Sequence, residues 1–232
     1  MSRANVKDKR KAELIAAALE SIAKRGLMET TITHISKGAG MSRGIINFYF
    51  TSKEMMLRET LKTLIDEYEA EWGEAIAKAG DAGRARLDAI VKVHFDKKLC
   101  SARRLNVMSA FWGHAATQSA YRAQLESADA KIETALTEAL AHALASSLEE
   151  AKHAATQLHA LIRGLWLNFM LNPQAVSREA LMAEATSYVD RLAGAPIRIV
   201  RDIDKTAIKL AKPKPKAEEP KQLDIEDLFG RA

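Results

Sequence analysis

Apolar residues recur along most of this chain three and four positions apart, the spacing that places them on one face of an α-helix. Between residues 9 and 24 such a face consists of Leu14, Ile15, Ala18, Leu19 and Ile22. Gly26 follows at the point where this helix should end. The same spacing predicts further helices over about 31–38, 43–48, 52–78, 84–99, 103–115, 118–146, 149–171 and 177–193.

Proline positions support a helical body followed by a different kind of segment. No proline precedes Pro173, and four of the five prolines lie after residue 195. Proline removes a backbone donor and clashes with the preceding turn of a helix, so its absence favours long helices. Short strand-like alternation is absent from the sequence. We therefore predict an all-α fold up to about residue 195 and a disordered charged tail over 196–232.

Two of the short predicted helices form a recognisable unit near the N-terminus. Thr31 can cap the first helix and Ser42 the second, with Gly40 in the turn between them. Two short helices joined by such a turn predict a helix-turn-helix, whose second helix can enter the major groove of DNA. Ser52 and Lys53 then open the next helix, where free backbone N–H groups and a lysine favour a phosphate.

Composition and charge agree with a soluble DNA-binding protein. Of the 232 residues 47% are hydrophobic and 28% charged, and the formal net charge is +5. Residues 1–53 hold ten Lys and Arg against four Asp and Glu, a net of +6, which fits a polyanionic partner and equally a solvated basic face. No apolar run reaches the roughly 18 residues of a membrane span, and no apolar segment follows the basic N-terminus as in a secretory signal. We expect a cytoplasmic protein without a membrane partner.

The segment TTITHISKGAGMSRGIINFYFTSKEMML closely resembles the DNA-binding domain of the TetR family of bacterial repressors. The resemblance implies base contacts from Arg43 and Asn47, and arginine and asparagine can each bind a base edge through two hydrogen bonds. It implies a phosphate contact from Tyr49, whereas Phe48 and Phe50 are interpreted as sealing the domain core. The other DNA-binding candidates that it implies, by cap, close approach or phosphate contact, are Thr33, Ser42, Gly44 and Lys53.

Two segments of the body, AFWGHAATQSAYRAQL and ALIRGLWLNFML, are similar to the choline-sensing BetI-type repressors, and the likeness covers roughly residues 8–193. It implies a small-molecule site between Trp112 and Trp166, because aromatic faces attract a quaternary ammonium group. Met108 and Arg163 depart from those repressors, which often have Trp and Asp there, and a positive Arg163 disfavours a cationic ligand. The ligand-binding candidates are Phe111, Trp112, Tyr121, Arg163, Trp166 and Phe169.

The resemblance implies a homodimeric, ligand-responsive repressor that binds palindromic operator DNA and needs no cofactor. Its helix-turn-helix domain would cover about 1–53, and its helical ligand-binding and dimerisation domain 54–195, with the dimer surface on the last two helices. The sequence has no nucleophile elbow or phosphate loop, and its histidines lack metal-ligand spacing, so we expect neither an enzyme nor a metal site. Two alternatives stay open: an effector other than choline, for example an anion that meets Arg163, and a ligand-independent architectural DNA-binding protein.

Overall fold

The structure is a computed structural model that describes residues 3–194, with side chains described from residue 6 onward. Nine helices account for almost all of these residues, which contain no strand, and the predicted all-α fold is confirmed for them. The predicted tail over 196–232 lies outside the described residues. The helices are α1 Arg3–Glu29, α2 Ile32–Ala39, α3 Arg43–Tyr49, α4 Lys53–Ala79, α5 Gly83–His94, α6 Ala102–Ala115, α7 Ser119–Leu144, α8 Leu148–Leu171 and α9 Arg178–Leu192.

Hydroxyl side chains fix where several of these helices begin. Thr31 accepts a hydrogen bond from the backbone N–H three residues ahead and so caps α2. Ser42 and Ser52 do the same for α3 and α4. Each cap satisfies one of the N–H groups that a helix N-terminus leaves without an internal partner. Side-chain caps within the local sequence therefore set where α2, α3 and α4 begin.

Two helix ends differ from the predicted ones. Helix α1 starts at Arg3 rather than near residue 9, and Gly26 interrupts it with a φ of 81°, which glycine adopts without a steric penalty. Helix α5 ends at His94, about five residues early. The carbonyl of Asp96 accepts from the N–H of Cys100 at 2.7 Å, and its carboxylate accepts from the N–H of Lys98 at 2.8 Å. These bonds form a tight turn in place of a continued helix.

Helix α4 connects the two ends of the molecule. Its first turn buries Met56 in the core of the helix-turn-helix, together with Leu14 and Ile46. Further along, its residues 57–65 pack against α1, α6 and α7, and Tyr68 packs against the core formed by α5, α7 and α8. Helix α4 is continuous over 27 residues and therefore belongs to the cores of both the helix-turn-helix and the body. Within residues 3–194, no helix is long and apolar enough to cross a membrane.

Candidate functional site

The connection between α2 and α3 has the geometry of a helix-turn-helix. Gly40 ends α2 with a φ of 64°, and its N–H donates to the carbonyl of Lys37. The N–H of Met41 donates to the carbonyl of Ser36 at 3.1 Å. Ile35 of α2 and Ile46 of α3 are fully buried and fix these helices against each other and α1. The opposite side of α3 is left facing solvent.

The structure places the predicted DNA-binding residues on this outward side and at its edges. Ser42, Gly44 and Asn47 are exposed along α3, as is Arg43, whose guanidinium donates a hydrogen bond to the Thr33 hydroxyl. Three others are half-buried at the edges: Thr33, Tyr49 and Lys53. The ammonium of Lys53 donates to the carbonyl of Met28 at 3.2 Å. The geometry brings the set together, and contact with DNA stays a prediction.

The two phenylalanines of α3 and its cap have opposite environments. Phe50 is 2% exposed and belongs to the core of the helix-turn-helix, as interpreted from the sequence. Phe48 is 73% exposed, so its interpretation as a core residue is wrong. The reason is register: Phe48 lies two residues after the buried Ile46, on the far side of the short helix from the core.

A narrow pocket opens between α4, α6, α7 and α8 in the body of the protein. Its cavity volume is about 30 Å³, which leaves room for only one or two water molecules. Three residues predicted to bind a ligand, Trp112, Arg163 and Trp166, line this pocket together. Met108, which departs from the resembling repressors, also lines it. We refer to this space as the effector pocket.

Both arginines that line the effector pocket have carboxylate partners. The guanidinium of Arg163 donates to the carboxylate of Asp129 and lies 5.6 Å from the centre of the Trp112 ring. Arg104 donates to Glu67 at 2.7 Å and to the carbonyl of Leu64 at 2.8 Å. Both arginines therefore bring positive charge to the pocket, and both carry a carboxylate partner. Asp129 was not identified from the sequence, because it is separated from Arg163 by 34 residues.

Two buried histidines, His94 behind the pocket and His159 in its lining, have lowered pKa values. Burial lowers the pKa of His94 to about 4, although the hydrogen bond from its Nδ1 to the carbonyl of Ile90 opposes this shift. Since Nδ1 is the donor, Nε2 accepts the hydroxyl hydrogen of Tyr68 at 2.7 Å. Burial, together with the charge of Arg163, also lowers the pKa of His159.

Trp166 is held by the same cluster. Its indole N–H donates to the carbonyl of His94 at 2.8 Å, and its ring stacks on the His94 ring with 5.4 Å between centres. Tyr68 packs edge-on against Trp166. The indole N–H of Trp112, in contrast, is buried with no hydrogen-bond partner among the described residues. An acceptor on a bound molecule is one way to satisfy that group.

The other three predicted ligand residues lie elsewhere in the core. The Phe111 and Tyr121 rings meet edge-to-face at 5.3 Å, within the cluster between α1, α4, α6 and α7. Phe169 is buried in the cluster of α5, α7, α8 and α9. None of them lines the effector pocket. Their spacing along the helices is that of core packing, which sequence alone does not distinguish from a ligand site.

Comparison with known proteins agrees with this arrangement. A model described as bacterial regulatory proteins of the tetR family matches residues 14–60, and one described as the C-terminal domain of BetI-type transcriptional repressors matches residues 83–194. The transcriptional regulator BetI of Burkholderia mallei is 32% identical over 192 residues, which cover 83% of this chain and 97% of the relative. The chain belongs to the TetR family. It is a TetR-family transcriptional repressor with a BetI-type C-terminal domain, in a family of regulators rather than enzymes.

Solved structures share the TetR-family fold. A transcriptional regulator from Pseudomonas aeruginosa PAO1 superposes with a TM-score of 0.72 at 27% identity, over 81% of this chain and 91% of that one. A regulator from Saccharomonospora viridis, solved in complex with choline, superposes with a TM-score of 0.69 over 79% of this chain and 96% of that one. The second is only 19% identical, so it supports the fold alone.

Proposed function

We propose that this TetR-family repressor binds a palindromic operator as a homodimer and is released by a small molecule in the effector pocket. The observation that carries this proposal is the path of α4. The same helix begins at the helix-turn-helix and lines the effector pocket with Leu64, Ile65 and Tyr68. A cavity of about 30 Å³ is too small for most metabolites, so a ligand has to push these walls apart and displace α4.

The dimer surface is proposed on α8 and α9. Gly164, Leu167 and Leu171 are exposed along α8 at spacings of three and four, and they form an apolar strip on one side of the helix. Leu167 and Leu171 are 48% and 65% exposed, which is costly for leucine unless another surface covers it. A second copy of the same strip would bury both and place two recognition helices for a two-fold symmetric operator.

A quaternary ammonium compound such as choline is the first effector candidate. Asp129 supplies a carboxylate in the pocket, and Trp112 offers a ring face that already carries a cation, that of Arg163. A quaternary ammonium could take over both contacts if the Arg163 side chain, which is 36% exposed, moved toward solvent. The charge of Arg163, which disfavours choline in the sequence, is neutralised by Asp129 as long as the two remain paired.

An anionic effector is the second candidate, and a different observation favours it. Arg104 and Arg163 both line the pocket, and burial and the charge of Arg163 lower the pKa of His159 beside them. A carboxylate or phosphate could displace Asp129 from Arg163 and accept the unpaired indole N–H of Trp112. A quaternary ammonium would thus replace Arg163 as the partner of Asp129, whereas an anion would replace Asp129 as the partner of Arg163.

The remaining parts of the proposal follow from this role. A repressor of bacterial operons acts in the cytoplasm and uses no cofactor beyond its effector. The boundary between the DNA-binding domain, 1–53, and the effector domain, 54–195, is placed at the first turn of α4. Because α4 continues from one part into the other, a helix rather than a loop joins the two domains at this boundary.

The test is an operator-release measurement on the full chain. An operator is first selected from genomic fragments, and binding to it is followed by fluorescence anisotropy while choline, or a carboxylate of similar size, is added. Release by either compound supports the proposal, and by linkage operator DNA must weaken that compound's binding by the same factor. Operator binding that no compound from a broad metabolite panel changes would instead favour the ligand-independent architectural protein.

A further inference from the structure

The first two turns of α1 lie beside the recognition helix rather than projecting away from it. Lys7 and Arg10 line a cleft whose other wall consists of Ser42, Gly44 and Phe48 of α3 and its cap. The ammonium of Lys7 is 5.8 Å from the centre of the Phe48 ring. These turns precede residue 14, where the match to the TetR-family domain begins.

We propose that Lys7, Arg10 and Phe48 form a second DNA-reading surface, named here the α1–α3 strip. Phe48 packs on a thymine methyl group in the major groove, and Lys7 and Arg10 bind phosphates at the edge of the same half-site. This inference rests on the proposed function, because it takes α3 to be the helix that enters the groove. It adds to that function a preference for thymine at one position of each half-site and two further phosphate contacts per subunit.

The exposure of Phe48 is the first argument. The side chain is 73% exposed, more than any other large hydrophobic residue in the described part of the chain. Single apolar residues on a surface are common, but this one lies four residues after Gly44 and next to Asn47, on the outward side of the recognition helix. The apolar group that the major groove presents is the thymine C5 methyl. A phenyl ring on this helix therefore matches one base chemically.

The distribution of charge along α1 is the second argument. Asp8 faces the opposite side of the helix, in a cleft against α4 that also contains Lys11 and Glu59. Lys11 pairs with Glu59 there at 2.7 Å. Lys7 and Arg10 form no ion pair with any residue of the described range, so their charges remain available to a phosphate. The side of α1 next to the recognition helix is thus basic, whereas its α4 side is neutralised.

Glu13 is the first acidic residue after Arg10 in the sequence, and it forms no salt bridge with any described residue. It lines an adjoining cleft against Gly40 and Met41 of the turn between α2 and α3. Arg10 lines that cleft as well, yet no ion pair between Arg10 and Glu13 is formed. The basic side of α1 therefore continues from Lys7 to Arg10 beside the first turn of α3, where a DNA backbone passes when α3 lies in the groove.

The thymine contact is tested with modified operators. Duplexes in which single thymines are replaced by deoxyuridine lose only the methyl group, and their binding to the wild-type chain and to Phe48→Ala is compared by anisotropy. We expect one thymine per half-site at which wild type loses about fourfold, the factor for burying one methyl-sized group, while Phe48→Ala loses nothing further. Phe48→Leu should retain part of the discrimination. Equal losses in wild type and Phe48→Ala at every thymine would overturn the thymine contact.

The phosphate contacts are tested through salt dependence. The binding constant falls with salt, and each lost phosphate contact makes the slope of log K against log salt less negative by about 0.9. Lys7→Gln or Arg10→Gln removes one contact from each subunit of a dimer, so each should make the slope less negative by about 1.8. Lys92→Gln is the matched control, because Lys92 is an exposed lysine on α5 beside Glu71 and Glu74. Slopes equal to that of the control would overturn the phosphate contacts. A wild-type chain that binds no DNA selectively would instead overturn the proposed function, and this inference with it.

Discussion

The guanidinium of Arg163 on α8 donates a hydrogen bond to the carboxylate of Asp129 on α7, at the wall of the effector pocket. The two side chains are 36% and 30% exposed, so water screens their attraction. Ion pairs with this degree of exposure contribute only about 0–1 kcal/mol to stability. A ligand could therefore take either partner at little cost, and we propose that this pair determines which kind of effector the pocket accepts.

We expect substitutions of this pair to act in opposite directions on choline binding. Arg163→Gln removes the competing cation from Asp129 and from the Trp112 ring, and should strengthen choline binding about tenfold, the value of one partly desolvated cation–π contact. Asp129→Asn removes the counter-charge and should abolish binding. Titration calorimetry measures both, with Phe169→Leu as a core substitution outside the pocket. Choline binding that is unchanged by Asp129→Asn and by Trp166→Ala would exclude this pocket as its site.

Arg43 and Tyr49 should separate base reading from phosphate binding. Arg43 is exposed on α3 and held by Thr33, so Arg43→Ala should cost about 1–3 kcal/mol on the preferred operator and relax specificity at one base pair. Tyr49→Phe removes a hydroxyl that would donate to a phosphate, and should weaken all sequences by a similar factor. Anisotropy against a set of single-base operator variants distinguishes the two patterns. An unchanged sequence preference in Arg43→Ala would exclude Arg43 as a base-reading residue.

Local signals explain how much of the DNA-binding half could be predicted. Thr31, Ser42 and Gly40 act within a few residues of their partners, so the sequence itself specifies where α2 and α3 begin and end. The outward position of Phe48 was missed because an aromatic next to Phe50 resembles a core pair. The helical period distinguishes the two phenylalanines, because Phe50 lies four residues after the apolar Ile46, on the same side, whereas Phe48 lies two residues after it, on the opposite side.

The effector pocket could be predicted only in part, for a physical reason. Trp112, Arg163 and Trp166 follow from a family likeness, but Asp129, which pairs with Arg163, and Tyr68, which packs on Trp166, come from other helices. Which polar residues meet across a helical bundle depends on how the helices rotate against each other, and amphipathic spacing does not determine that rotation within one residue. The early end of α5 has a similar origin, since it depends on a turn built around Asp96.

The exposed strip of α8 should control the oligomeric state. Leu167 is 48% exposed, so covering the rest of it in both copies contributes about 1.5–3 kcal/mol. Two glutamates buried at the same place would add a desolvation cost, so Leu167→Glu should raise the dimer dissociation constant about 100-fold. Sedimentation velocity over a concentration series measures this, and operator affinity should fall in parallel. Met55→Glu is the control for the sedimentation measurement alone, since Met55 is 42% exposed on α4 outside the proposed surface but lies two residues from Lys53. A wild-type chain that is monomeric at micromolar concentration would exclude the dimer.

Gly83 marks a close approach between α5 and α7 that a larger residue cannot occupy. A Cβ placed there would lie 2.4 Å from the Cβ of His142 and 2.7 Å from the backbone N of Ala143. Gly83→Ala should therefore lower the free energy of unfolding by about 1–3 kcal/mol, the usual cost of overpacking. Gly73→Ala is the control: nothing lies within 4 Å of its Cβ position in the middle of α4, so it should stabilise by about 0.5–1 kcal/mol. Urea unfolding of both variants compares them directly.

His94 should make the free energy of unfolding decrease as the pH falls. Its pKa falls from 6.5 to about 4 because the ring is buried and neutral, between the Tyr68 hydroxyl and the carbonyl of Ile90. The unfolded chain therefore takes up a proton between these two pKa values that the folded chain does not. The contribution of His94 to the free energy of unfolding is therefore fully present above pH 6.5. It is lost as the pH falls toward 4, and the total loss is about 3 kcal/mol.

The measurement that isolates this effect is urea unfolding at a series of pH values from 7 to 4. His159 also has a lowered pKa and adds to the wild-type slope, so the informative quantity is the difference between wild type and His94→Gln. Glutamine cannot be protonated, and the variant should lose the His94 part of the slope even if its stability at pH 7 is lower. His153→Gln, at an exposed position of α8, should keep the full wild-type slope. A slope in His94→Gln equal to that of wild type would contradict a neutral His94 in the folded protein, and with it the role of Nε2 as the acceptor from Tyr68.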